Sequence, residues 1–548
     1  MERKINFLGD VFENAVARFP DKLALKKEDV TYTYAQLKNM VEKLKNHLIS
    51  LGLKKGDRFA VHGENRPEWA VAYLAIVRAG LVCVPLDRLL SEAEILHILR
   101  QSEARGVIVS ENCIDNIESV KGELKDLEDV ILMNKYGELP AKKEVKVSNL
   151  NPDDLAVLIF TSGTTGTSKA VMLSHNNILS NLHAVEQVIP VDETDTMVSI
   201  IPMHHTFEAT AGFLYPLYKG SAIYYPPSLK PNDIIDTFKE ANVSCLIAVP
   251  LLFEKFLAGL HRKIAGASLT TKVMFRTISG IGAVFKFLRK PLFAKVRKQM
   301  GMNNLRLACA GGAALTAKVA QGLELLGLPM IQGYGLTESS PVISVSPLEK
   351  PKSASVGTII PGVEVKIDDP DENGIGEVIV RGPNIMLGYY KNNTATEEVI
   401  RNGWLYTGDL GKFDSEGYLY IAGRKKSLIV TQSGKNIYPE ELEEKLIKSP
   451  WVREILVVPR IDPSTKKELI CALVFPDYEL LEEDSITKGK TYTEEDVKNI
   501  IKDEIRKVNE ELPAYKKVIQ FEIREEEFPK TTTQKIKRHM FIERAIKV

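Results

Sequence analysis

Between Val30 and Ser110 the sequence alternates helix and strand signals, and that alternation leaves few folds open. Thr33 is placed to cap a helix whose apolar positions Leu37, Val41, Leu44, Leu48 and Leu51 share one face, and Gly52 stands where a C-terminal cap is wanted. Arg58–His62 reads as a strand, Pro67 as the first turn of a second helix, Gly80 as its end, and Leu81–Val84 as the next strand. Ser91 opens a third helix and Gly106–Val109 is a third strand. Repeated βαβ units imply a parallel sheet covered by helices on both faces, so the fold class is α/β with doubly wound sheets.

The chain has 548 residues, 44% of them hydrophobic, enough for roughly three to four domains or subdomains. Lys plus Arg and Asp plus Glu both number 72, so whole-chain charge argues for no polyanionic partner, and nothing resembles a nucleic-acid module. Cys83, Cys113, Cys245, Cys309 and Cys471 show no ligand-like spacing and read as reduced core thiols of a cytoplasmic protein. The N-terminus lacks an apolar h-region, and the longest apolar run, Ala70 to Leu86, is broken by Arg78; neither a signal peptide nor a membrane span is expected.

The stretch Leu158–Leu173 carries the strongest chemical signal. An apolar run enters a loop of four threonines, two serines and two glycines, Thr161 to Ser168, followed by Lys169 and a second apolar run. Gly163 and Gly166 let backbone N–H groups turn toward an anion, the hydroxyls add donors, and Lys169 adds charge, so the loop suits phosphate. A Walker A loop has a different glycine spacing and a Lys-Ser/Thr pair, whereas Lys169 precedes Ala170. The alternative is an ordinary Ser/Thr/Gly-rich hairpin turn.

Residues 120–150, polar and rich in lysine, read as a connection to that loop. Ser174 caps a helix to about Val188, and Thr196–Ile201 is a buried strand ending in Pro202-Met-His-His-Thr-Phe-Glu208. His204 and His205 lie where open α/β sheets bind ligands; either could instead be a hydrogen-bonded structural histidine. Between Glu254 and Glu324 there is no acidic residue, and Phe285–Lys298 is basic and aromatic together. That segment reads either as a solvated helix face or as a peripheral contact with anionic membrane.

Two short strands then end in glycines, at Gly311-Gly312-Ala313 and at Gln332-Gly-Tyr334-Gly335-Leu-Thr337-Glu338. An aromatic face, a hydroxyl and a carboxylate are what a base, a phosphate and a Mg²⁺ ask for. Gly376–Gly382 and Gly403–Leu410 read as strands of an antiparallel subdomain, with Asp409 open to a turn reading. After Gly423-Arg424-Lys-Lys426 the chain turns richer in Lys and Glu, with helices at Pro439–Ser449 and Thr493–Glu511, as expected of a small α+β domain joined at a hinge.

Taken in order, the phosphate loop, Pro-Met-His-His, Gly-Tyr-Gly-Leu-Thr-Glu, Tyr-Thr-Gly-Asp, Gly-Arg-Lys-Lys and the terminal Pro-Lys-Thr-x-x-x-Lys resemble the ANL superfamily of adenylate-forming enzymes over nearly the whole chain. The His-Thr-Phe-Glu continuation after His205 position, the long basic segment before Arg306 and the run Asn402 to Arg424 are most similar to long-chain fatty acid–CoA ligases.

The resemblance implies a large domain over 1–424, including an antiparallel β subdomain, and a small mobile domain over 425–548. It implies ATP-dependent conversion of a fatty acid to acyl-adenylate, then to acyl-CoA, with ATP, Mg²⁺ and coenzyme A as cofactor and co-substrates. Thr161, Ser162, Gly163, Thr164, Thr165, Gly166, Thr167 and Lys169 would hold the β- and γ-phosphates. Gly311, Gly312, Ala313 and Tyr334 with Gly335 would frame adenine. Thr337 would meet the α-phosphate, Glu338 the Mg²⁺, and Asp409 with Arg424 the ribose. Lys426 matches the hinge, Lys535 the catalytic lysine, Gly434 and Lys435 the face used for thioester formation, and His205 the acyl site. Ser168, Ala170 and Gln534 depart from the family pattern and put loop geometry in question more than chemistry. Rival readings are transfer to an acyl-carrier-protein pantetheine, a different carboxylic acid, or a non-catalytic regulator on the same fold. The sequence leaves a homodimer open and places the protein in the cytoplasm or on the inner face of the membrane.

Overall fold

The computed structural model describes residues 4–140, 145, 147, 149–161, 168–313, 315–430, 435–461, 468–530, 536–538 and 540–542. They form two compact units, 1–365 with 380–406, and 366–379 with 407–548. By this division Asp409 and Arg424 fall in the second unit.

The first unit holds two sheets. One runs in the order Gly388–Tyr389, Lys169–Ser174, Leu155–Thr161, Val82–Leu86, Arg58–His62, Ala104–Val109, Asp129–Leu132. Its Arg58–His62 strand pairs in parallel with both Val82–Leu86 and Ala104–Val109, as the βαβ reading requires. The expected caps are present: Thr33, Ser91 and Ser174 each form a reciprocal capping box, and Gly52 and Gly80 take positive φ after their helices. The second sheet has nine strands, with Cys245–Ala248, Leu307–Ala310 and Met330–Gly335 parallel at its centre. The helix Pro67–Arg78 is buried on nearly every side, in a core that draws Leu25 and Met197 from one sheet and Val61 and Cys83 from the other.

Three expectations change. The 120–150 stretch is more than a connection, because Asp129–Leu132 is an edge strand parallel to Ala104–Val109; its apolar residues are only three, Val130 to Leu132, and follow Lys125, Asp126, Glu128 and Asp129. The strand expected over 196–201 stops at Val198. The basic segment, read as a helix face or a membrane contact, is built of short pieces at Lys286–Leu288, Arg289–Leu292 and Ala294–Gln299. Within it Phe293 and Arg297 are core residues, the Arg297 guanidinium donating to the carbonyls of Asn303 and Leu305 at 3.0 Å each. The exposed apolar face lies one helix earlier, on Leu269–Val284, and continues into Phe285 and Phe287.

In the second unit Val452–Ile461 pairs antiparallel with Glu468–Pro476, which runs parallel to Gln520–Ile523. The helices Pro439–Leu446 and Glu494–Glu510 bury Leu442, Leu446, Val497, Ile501 and Ile505, giving the expected α+β arrangement. Among the described residues no helix is long and apolar enough to cross a membrane.

Candidate active site

The phosphate-loop candidate sits on a hairpin. Leu155–Thr161 and Lys169–Ser174 are antiparallel, with Thr161 opposite Lys169, so the hairpin geometry and the anion-loop composition belong to the same element. Thr161 Oγ1 donates to the Lys169 carbonyl at 3.3 Å, and Ser168 Oγ donates to the Thr161 carbonyl at 3.1 Å. Ser162, Gly163, Thr164, Thr165, Gly166 and Thr167 lie outside the described residues. Lys169 begins a strand rather than a helix, which separates the element from a Walker A loop. Its Nζ lies 4.8 Å from the centroid of the Tyr389 ring.

The strand Met330–Gly335 delivers Tyr334 and Gly335 to a single 3₁₀ turn, Thr337–Ser339. Gly335 is obligatory for packing, since a Cβ there would stand 1.7 Å from the Pro341 carbonyl oxygen. Thr337 Oγ1 lies 3.3 Å from Thr206 Oγ1, joining this turn to the histidine segment. Glu338 is half-buried; its carbonyl accepts from Met386 N–H at 2.9 Å and its Oε1 accepts from Tyr389 Oη–H at 2.8 Å. Among the described residues neither Lys169 nor Glu338 has an oppositely charged side chain as an ion-pair partner.

Gly311 follows the strand Leu307–Ala310, and the ring lying against its backbone is that of Phe207, 2.7 Å from where a Cβ would be. Gly312 takes φ +81° and Ala313 continues the turn. The His204 and His205 rings lie with centroids 4.0 Å apart, tilted by 44° to each other, and His204 Nε2 lies 3.4 Å from Asp87 Oδ2. Burial, reinforced by nearby His62, pushes the His204 imidazole down to about 3, so it is neutral at physiological pH. Glu208 is fully buried at the start of a π-helical stretch, Glu208–Leu214, hydrogen-bonded by Ser199 Oγ and packed against Gly212. Burial pushes its carboxyl up to about 8 against the effect of Ser199, so it is held mainly protonated.

In the second unit Asp409 is buried in the strand Trp404–Phe413, in register with Arg424. An extended position replaces the turn alternative. Arg424 Nε meets Asp409 Oδ1 at 2.7 Å while the guanidinium side chain stays half exposed. Gly408, at φ +71°, donates its N–H to Glu377 Oε1 at 3.0 Å, and Asp409 N–H donates to Thr407 Oγ1 at 3.0 Å. Lys426 lies in the 3₁₀ turn Lys425–Ser427, and Lys435 Nζ lies 4.9 Å from the Tyr515 ring centroid. Gly434 and Lys535 lie outside the described residues.

Residues 12–390 match the profile of the AMP-binding enzyme, and residues 441–535 that of the AMP-binding enzyme C-terminal domain. The chain belongs to the AMP-binding enzyme family. It is 30% identical over 528 residues to a long-chain-fatty-acid–CoA ligase of Escherichia coli O157:H7, covering 88% of each chain. It is 24% identical over 580 residues to the chloroplastic long-chain-fatty-acid–[acyl-carrier-protein] ligase AEE15 of Arabidopsis thaliana, covering 85% of this chain and 79% of that one. The solved structure of ATP-bound MatB from Rhodopseudomonas palustris superposes with a TM-score of 0.79 at 25% identity, covering 98% of both chains. The superposition bears out the expected adenylate-forming fold.

Three side chains of this AMP-binding enzyme escaped the sequence reading. Tyr389 touches both Lys169 and Glu338, Thr206 reaches Thr337, and Asn384 Nδ2 donates to the Ser339 carbonyl at 3.0 Å. No periodicity flags them, because each acts across a large sequence separation; the run Leu387-Gly-Tyr-Tyr390, with Gly388 at φ +133°, was the one local sign of special backbone.

Proposed function

We propose that this chain is an AMP-forming fatty acid–CoA ligase acting on long chains. A carboxylate oxygen attacks the α-phosphorus of ATP; an O–P bond forms, the α–β anhydride breaks, and pyrophosphate leaves. The CoA thiolate, its proton already given up to solvent, then attacks the acyl carbonyl; the C–S bond forms, the C–O bond to the phosphate breaks, and AMP leaves. The observation that carries the reading is the cluster in which the Tyr389 side chain meets both the Lys169 ammonium and the Glu338 carboxylate, neither of which has an ion-pair partner among the described residues.

In this reading Lys169 and the loop from Thr161 hold the β- and γ-phosphates, Thr337 the α-phosphate, and Gly311 to Ala313 with Tyr334 and Gly335 the adenine. Asp409 accepts from both ribose hydroxyls beside Arg424. His205 lines the acyl site, and Thr206 fixes the height of that segment against Thr337. Lys535 stands between the attacking carboxylate and the α-phosphate, and the small domain pivots at Lys426 so that Gly434 and Lys435 serve the second step. Mg²⁺ fits the donors present. Among the described residues Glu338, a hard oxygen ligand, has no cationic partner, and no three His, Cys, Asp or Glu side chains cluster for a metal, so nucleotide oxygens and water would complete its shell. When bound it supplies positive charge against the phosphate oxygens.

The acid's length is tested directly. Each methylene buried in an apolar site adds about 0.8 kcal/mol, close to fourfold in binding per carbon. With saturated acids, kcat/KM for CoA-thioester formation is expected to climb through the medium chains and then level off. A best substrate of about six carbons or fewer, or an aryl acid above every fatty acid, defeats the assignment. The Arabidopsis relative's name makes an acyl-carrier-protein acceptor the second reading, and the same series run with that protein in place of CoA decides between them.

We further infer peripheral contact with anionic membrane, relocated from 285–298 alone to the surface that includes Leu269–Val284. Leu269 is 76% exposed, Val284 71% and Phe287 77%, with Val273, Met274 and Phe285 beside them. Lys272, Arg276, Lys286, Lys290, Lys295 and Lys298 are exposed on the same stretch, which has no acidic residue. Each such cation near an anionic surface contributes on the order of 1 kcal/mol, screened by salt. Sedimentation with phosphatidylserine liposomes is expected to be salt-sensitive and weakened when Lys290, Lys295 and Lys298 become Glu. Equal sedimentation of wild type and triple variant returns the segment to a solvated face.

A further inference from the structure

Tyr389 occupies a position that neither the motif reading nor the family match assigns. It ends a two-residue strand, Gly388–Tyr389, laid antiparallel along Lys169–Ser174 with Tyr389 opposite Val171. The strand is tightly held: Leu387 N–H donates to the Met172 carbonyl at 2.9 Å, Tyr390 N–H to the Ala170 carbonyl at 2.8 Å, and Tyr389 N–H to Thr396 Oγ1 at 2.9 Å. Gly388 is pressed against Thr396, where a Cβ would come within 2.8 Å of the methyl carbon. The phenol ring therefore has a fixed origin, and it is buried.

From that origin one side chain engages both charged groups. Its face receives the Lys169 ammonium at 4.8 Å, and its hydroxyl donates to Glu338 Oε1 at 2.8 Å. A cation on a ring face and a phenol donating to a carboxylate are both favourable, and the second is a charge-assisted bond. The two charges thus meet different parts of one side chain, the ammonium its face and the carboxylate its hydroxyl.

Resting on the function proposed above, we propose that Tyr389 is a positioning residue that keeps Lys169 and Glu338 apart and orients the Glu338 carboxylate toward Mg²⁺. Tyr389→Phe retains the ring face and removes only the hydrogen bond. Its effect belongs to the metal-dependent part of nucleotide binding and not to ATP binding in general.

The test is calorimetric titration of the full chain with ATP, with Mg²⁺ or with EDTA, in four proteins: wild type, Tyr389→Phe, Glu338→Gln and the double variant. The gain in ATP affinity on adding Mg²⁺ is expected to fall about tenfold in Tyr389→Phe, in line with loss of a hydrogen bond to a charged group, while affinity in EDTA is unchanged. On the Glu338→Gln background the same change is expected to cost less than about twofold, since the group it acts through is already altered. An equal loss on both backgrounds, or a Tyr389→Phe titration that matches wild type with and without Mg²⁺, overturns the inference. A variant with a lowered melting temperature and equal losses in EDTA counts against it as well, as purely structural. Wild type that binds no ATP defeats the functional reading itself and this inference with it, which separates the two failures.

Discussion

Lys535→Ala is expected to slow acyl-adenylate formation by roughly 10²–10³-fold while leaving thioester formation from presynthesised acyl-adenylate nearly untouched. Two anions must meet in the first step, and losing one preorganised donor at developing charge typically costs about 2.7–4 kcal/mol. Only that step gathers charge between a carboxylate and a triphosphate; the thiolate attack that follows does not. Lys535 lies outside the described residues, but its flanks are anchored within the second unit. Lys530 forms an antiparallel bridge with Ile536 and pairs with Glu454. Arg538 Nη2 donates to both Glu443 carboxylate oxygens, at 2.7 and 2.6 Å, and its Nη1 donates to the Val457 carbonyl at 2.9 Å. A melting temperature equal to that of wild type would identify the loss as one of chemistry. Rapid-quench measurement of the two half-reactions checks it; equal losses in both would remove the assigned role.

Asp409→Ala is expected to weaken ATP binding by roughly 1.5–3 kcal/mol, the range for hydrogen bonds to a charged group, or about 10–150-fold in Kd. The fold should tolerate the change. The Arg424 partner is half exposed, so its freed guanidinium can turn to water. Because the proposed contact is with both ribose hydroxyls, wild type should prefer ATP to 2′,3′-dideoxy-ATP, and the variant should bind the two alike. Unchanged ATP affinity in calorimetry would leave the Asp409–Arg424 pair a purely structural cross-strand contact.

The larger part of the first unit is legible in the sequence because its signals are local. The Thr33, Ser91 and Ser174 caps each depend on a residue three positions away, and the Arg58–His62 strand declares itself by composition. Where the local signal was weak, the reading slipped. Asp129–Leu132 is a four-residue edge strand of which only Ile131 is buried, set in a polar stretch, and Phe285–Lys298 reads as a solvated helix face or a membrane contact although Phe293 and Arg297 are interior. A buried arginine among exposed lysines cannot be told apart by composition; it is buried because the carbonyls of Asn303 and Leu305 converge on it.

For the site the division follows the same physics. Sequence alone determined which chemical groups are present and in what order: the hydroxyl- and glycine-rich loop before Lys169, the Tyr334, Thr337 and Glu338 group past a strand end, Asp409, Arg424 and the terminal Lys535. Their order sufficed because backbone turns and strand ends are specified by neighbouring residues. Only the tertiary structure decided what those groups touch. It placed the Phe207 ring on Gly311, sealed Glu208 away from water as a protonated acid, set Thr206 beside Thr337, and inserted Tyr389 between Lys169 and Glu338. Such contacts join segments far apart in the chain, and which side chain fills the space between two charges is settled by the close packing of sheet and strand around them, not by any pattern along the sequence.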